Sequence, residues 1–213
     1  MSQFFQFTLI ALLVNDFVLL AVNRLPTMVK MVVVQGVLLA ALLLTSSADI
    51  STEVFILAFA IVVVKGVMLP MLLTRTRKST YHDPVMRPYL GHGLSVLAGM
   101  LGLVFSLWLE AHLPAELGVF PPLLLPAALT TLFIGLILIV TRSRTLAQII
   151  GYLAAENGIF LLGVPLMEHG ALWFELALLL DMCVAVLVMG VAMGHINDTF
   201  DTTNSDYFCN LHD

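Results

Sequence analysis

Long apolar runs, separated by short polar breaks, organise this chain. The runs fall at Phe4–Val22, Thr27–Leu44, Glu53–Leu73, Pro88–Leu109, Pro122–Val140, Thr145–Met167 and Ala171–His195. Turn-forming and charged residues fill the breaks: Arg24-Leu25-Pro26, Thr45 to Asp49, Arg75 to Pro84, His112-Leu113-Pro114, Arg142-Ser143-Arg144 and Glu168-His169-Gly170. A helix crosses the hydrocarbon core with about 20 apolar residues. Transmembrane strands would instead alternate over about ten residues. Without water to bond the backbone, such continuous runs predict helices. The expected fold is an all-α integral membrane protein of about seven transmembrane helices.

Composition agrees with that pattern. Of 213 residues, 60% are hydrophobic and 11% are charged, against about 25% charged in a soluble protein; mean hydropathy is +1.03. The net charge of −5 comes with no basic cluster of the kind that binds nucleic acid. Two cysteines, Cys183 in an apolar run and Cys209 in the polar tail, form no disulfide framework. Met1–Ser2 carry no Lys or Arg ahead of the first run, so a retained first span is expected rather than a cleaved leader.

Basic residues set the expected orientation. Arg24 and Lys30 flank the first connection, Arg75, Arg77, Lys78 and Arg87 lie in the third, and Arg142 and Arg144 in the fifth. The second, fourth and sixth connections have none. The positive-inside rule then places the N-terminus outside and the C-terminus in the cytoplasm. The tail, 196–213, is polar; it reads either as a frayed end or as a strap that docks a cytoplasmic partner through Tyr207, Phe208 and Leu211.

Against this background Lys65, Glu156 and Asp181 stand out, since each lies deep in an apolar run. A charge at the bilayer centre costs about 2.5–3.5 kcal/mol on insertion scales, so the three together cost roughly 8–10 kcal/mol if unpaired. Lys65 lies nine residues before Thr74, roughly 13–14 Å in from the end of its helix, beyond the reach of a snorkelling lysine stem. It must find a carboxylate or water inside the bundle. Gly66 offers room for a close neighbour, and Pro70 should loosen the helix near the Gly66 carbonyl. Glu156 and Asp181 flank the turn at His169 by similar lengths of chain and so sit at similar depths. Facing a shared seam, they could hold and release a proton. Gly151, Ala155 and Gly158, with Ala177 and Ala185 around Asp181, would permit tight packing there. Each of the three reads either as part of a proton route or as a structural group that fixes helix register.

Three further groups are candidates for proton transfer. Asp16, beside Asn15, could reach interfacial water or pair with Arg24. His92, within Gly91-His92-Gly93, could relay a proton or sit satisfied at the interface. Glu175 lies about one turn inside the outer face of the last span, where interfacial solvation is the competing reading. Gly190 and Gly194 form a helix-packing motif of modest specificity. No P-loop, CxxC, HExxH or haem-type histidine pair is present, and no cofactor or metal site is expected.

Glu156-Asn157-Gly158 in GYLAAENGIFLLGV, Asp181 in FELALLLDMCVAVLVMG and Lys65 in VVKGVMLPMLLTRTRKS resemble the hydrogenase-4 component E family. The last three spans also resemble the complex I K subunit and the C subunit of Mrp-type antiporters. In the K subunit two membrane glutamates lie on the second and third helices. Glu156 matches the first, and Asp181 falls near the second with a side chain one methylene shorter. The resemblance implies a single membrane domain, with four spans in 1–110 and a K-like portion in 120–195. It implies a non-catalytic, multi-pass subunit of a bacterial or archaeal cell-membrane oxidoreductase complex. Its partners would be antiporter-like and quinone-reductase-H-like membrane subunits and a cytoplasmic hydrogenase or redox arm, and ions, protons or sodium, would move through the membrane part. An assembly scaffold without conduction and a small independent transporter are the competing readings; no inverted repeat supports the last.

Overall fold

The computed structural model describes residues 3–46, 52–68, 71, 91–113 and 121–165. These residues build helices and no strand. The helices are α1 (Gln3–Ala21), α2 (Leu25–Ser46), α3 (Thr52–Val63), α4 (His92–His112), α5 (Leu124–Thr141) and α6 (Thr145–Gly163). A π-helical turn, Val64–Met68, continues α3. All but α3 are long and apolar enough to cross a membrane, the architecture of a multi-pass helical membrane protein. Pro70 lies outside the described residues, but the helix does widen around Gly66, where the sequence predicts a loosened turn. The fourth helix starts later than the sequence suggests: Gly91 is its N-cap and Leu113 its C-cap. The expected seventh span and the polar tail lie outside the described residues, as do Arg75, Arg77, Lys78 and Arg87.

Four helices close a ring. α1 packs on α2, α2 on α6, α6 on α5 and α5 on α1. α3 and its π-turn lean on α2 from outside, and α4 leans on α5 and α1. Apolar side chains cover these helices all round, so hydrophobicity alone does not decide which faces meet. Small residues decide it. A Cβ on Gly135 of α5 would lie 2.3 Å from the Ala155 nitrogen, one on Gly151 would lie 2.8 Å from the Ile139 nitrogen, and one on Gly158 would lie 2.6 Å from the Leu132 nitrogen. The α5–α6 hairpin therefore packs backbone against backbone. The small face of α6, expected to serve the last span, meets α5; the last span lies outside the described residues. Ala177 and Ala185 lie outside the described residues.

Several buried hydroxyls bond their own helix backbone. The hydroxyls of Thr8, Ser106 and Thr141 donate to carbonyls one turn back, at Phe4 (2.8 Å), Gly102 (2.7 Å) and Ile137 (2.6 Å). α4 turns Leu97, Met100, Leu101, Val104 and Trp108 outward, and Phe105 stacks on Trp108 and meets Phe133 of α5 edge-on.

One buried cation joins the two hairpins. Arg142, in the α5–α6 connection, is 1% exposed. Its Nη2 donates to the carbonyls of Leu20 (2.7 Å) and Val22 (3.2 Å), and Nη1 donates to Asn23 Oδ1. These carbonyls end α1, where orphan acceptors and the negative end of the helix dipole favour a cation. Burial lowers the guanidinium from its ordinary pKa, but arginine keeps its proton in proteins. The α1–α2 and α5–α6 connections thus meet at one end of the bundle.

Replacing Gly135 with Ala should force the α5–α6 backbones apart and lower stability by about 1–3 kcal/mol. Gly163→Ala, where a Cβ would meet nothing within 4 Å among the described residues, should leave stability unchanged. Thermal melts of both variants in detergent check the contrast.

Candidate functional site: a buried polar relay

Each helix of the ring contributes a polar side chain to its interior. Asp16 comes from α1, Gln35 from α2, Thr131 from α5, and Glu156 with Asn157 from α6; all are buried. Gln35, Thr131 and Asn157 each lie roughly three turns from the Arg142 end of their helices, about 15 Å in. These three and Glu156 form a layer across the bundle, which Asp16, about 8 Å from the end of α1, joins through Gln35 and Thr131.

Lys65 enters this layer from the π-turn. Its stem runs beside Gly36 of α2, where a Cβ would lie only 2.8 Å from Lys65 Cβ. Gly66 was expected to make room for a neighbour; among the described residues a Cβ there would touch only Val62, at 3.7 Å. The close approach belongs to Gly36, because the lysine must cross α2 to reach α6. The ammonium sits 3.0 Å from Glu156 Oε2 and 3.2 Å from Oε1, and it also donates to Asn157 Oδ1. A lysine has three donors, and three acceptors surround it. The Phe160 ring lies 5.4 Å away, within cation–π range. Lys65 is 1% exposed and Glu156 8%.

The chain of contacts continues past the ion pair. Asn157 Nδ2 donates to Gln35 Oε1 at 3.1 Å, and Gln35 Nε2 donates to Asp16 Oδ1. Thr131 Oγ1 lies 2.6 Å from Asp16 Oδ2 and 2.7 Å from the Ala127 carbonyl, so its single proton has two acceptors within reach. Asn15 Nδ2 donates to the Met31 carbonyl at 3.1 Å, fixing α1 against α2 beside the layer.

This geometry brings together Lys65, Glu156 and Asp16. Interfacial water or Arg24 was the expected company of Asp16; the carboxylate is instead fully buried while Arg24 is exposed. α1 turns it toward α2 and α5 rather than toward its own end. His92 is the first residue of α4. Asp181 and Glu175 lie outside the described residues. Gln35 and Thr131 escaped the sequence reading because neutral polar residues carry too small a penalty to stand out. The one signal was an amide placed mid-run between Val34 and Gly36. The layer can hold a paired charge in a buried interior and transmit polarity through two amides.

No family model matches the chain, and no solved structure matches it. Over 195 residues, covering 87% of this chain and 85% of the relative, it is 29% identical to the uncharacterized protein Rv0085 of Mycobacterium tuberculosis (strain ATCC 25618 / H37Rv).

Proposed function

We propose that this chain is a seven-span membrane subunit of an energy-converting hydrogenase or complex I-like assembly, and that its buried charges form part of a proton or sodium translocation route. The Lys65–Glu156 pair, held by Asn157 and continued to Asp16, is the observation that carries the reading. Titratable groups inside a membrane bundle, paired with one another, mark ion pathways. The expected orientation has its N-terminus outside. It draws support from the Arg142 contact, which gathers Arg24, Arg142 and Arg144 at one end of the bundle. Partners in this reading are antiporter-like and quinone-reductase-H-like membrane subunits, with a cytoplasmic redox arm. Asp181 would extend the route along the last span.

The same ion pair also favours a second reading, a scaffold in which Lys65 simply fastens α3 to α6. A mutant cycle separates the two. Lys65→Met leaves Glu156 buried and unpaired, at a cost of about 3–5 kcal/mol, whereas removing both charges is often close to neutral. K65M should therefore lower the yield of assembled complex on native gels, and K65M/E156Q should recover it. Redox-driven ion uptake into membrane vesicles should fall at least tenfold in assembled E156Q and stay low in the double variant. Normal uptake by the assembled double variant would leave only the scaffold.

Gly36→Ala provides a test without touching a charge. Its methyl would collide with the Lys65 stem, so uptake should drop toward that of E156Q while the complex still assembles. Uptake at the level of the unmodified chain would show that the position of Lys65 is immaterial.

A further inference from the structure

The hydrogen bonds across the layer all point one way. Lys65 donates to Asn157, Asn157 to Gln35, and Gln35 to Asp16. That sense is imposed from both ends. An ammonium has donors only, so Asn157 must turn its oxygen to Lys65 and its amide hydrogens to Gln35. An ionised carboxylate has acceptors only, so Gln35 must turn its hydrogens to Asp16. A cation and an anion are therefore joined by two side-chain amides with their dipoles aligned.

We propose that Asp16 is a second proton-binding group of the bundle, and that Gln35 and Asn157 are positioning residues that couple its protonation to the charge on Lys65. The proposal rests on the charge-handling reading above. The alternative state is chemically complete. Lys65 passes one proton to Glu156 Oε2, 3.0 Å away, leaving a neutral amine and a carboxylic acid. Rotation about the Cε–Nζ bond turns the amine's single lone pair from Glu156 to Asn157, so Asn157 rotates to donate to it, and Gln35 rotates to donate to the Asn157 oxygen. Gln35 then presents its own oxygen to Asp16. Asp16 takes up one proton from bulk solvent at Oδ1 and donates it to that oxygen. Thr131 turns its hydrogen to whichever of its two acceptors the new state leaves open. No proton crosses the amides; only their orientation reverses. The relay is thus a two-state element biased from both of its ends, which is the physical requirement for coupling between sites.

The groups that face Asp16 from α2 and α5 are Gln35 and Thr131, and neither titrates. Among the described residues no cation contacts Asp16 directly, so influence from Lys65 must pass through the amides or through the bare field. Infrared spectroscopy of the full chain in lipid nanodiscs distinguishes these, because a protonated carboxyl has its own stretching band. At one fixed neutral pH, E156Q, which keeps the Lys65 charge, is compared with K65M/E156Q, which lacks it. The acid band should grow about tenfold when the charge is removed, and Asp16→Asn should abolish it. Adding Gln35→Leu to both should erase the difference. An equal gain with and without Gln35 would assign the effect to the field and overturn the role of the amides. A band unchanged by removing Lys65, or unaffected by Asp16→Asn, would overturn the proposal itself. The readout needs no partner subunit and no ion flux, so its failure is separable from failure of the translocation reading.

Discussion

A buried ammonium group is the constraint around which this bundle is arranged. In hydrocarbon, each unsatisfied polar group costs several kcal/mol, and Lys65 brings three donors at once. Glu156 and Asn157, adjacent on α6, meet all three. That solution fixes much else. α6 must present Glu156 and Asn157 to α2 and α3. Gly36 must be small for the lysine stem to pass. The second amide edge of Asn157 then needs an acceptor, which Gln35 provides, and Gln35 in turn needs Asp16. One charge placed in oil thus calls up a line of polar residues across four helices.

Placing Lys65 at the right height and azimuth is the work of the π-turn. An ordinary α-helix through Val64–Met68 would advance each residue by 100°, and the wider turn resets that phase. Such turns recur at functional sites because they redirect one side chain without disturbing the helix on either side. The rest of α3 stays an apolar helix leaning on α2, and only the lysine crosses toward the ring interior.

The helices were legible because apolar runs of this length admit no other structure in lipid. The need of Lys65 for an internal carboxylate was also legible, since its stem is too short to reach water. Which carboxylate it finds was not, because Lys65 and Glu156 are separated by more than ninety residues and apolar helices give little azimuthal signal. Neutral side chains such as Gln35 and Thr131 were invisible for a different reason: either could have bonded its own helix, as Thr8 and Ser106 do. Gly135, Gly151 and Gly158 announced close packing but not its partner, so α5 took a face that the sequence suggested for the last span.

The Arg142 rivet ties the two hairpins at one end of the bundle, and the Asn157–Gln35 and Thr131–Asp16 bonds tie them again further in, so the rivet can act as a fulcrum for the layer. The polar layer lies roughly 15 Å along the helices from it. A tilt of about 5° between the hairpins would move facing groups in the layer by about 1.3 Å over that lever arm. Such a displacement carries a hydrogen bond of ordinary length past the distance at which it holds. A small rocking motion at the clamp is therefore enough to make or break electrical continuity across the interior, with no helix needing to slide or unwind.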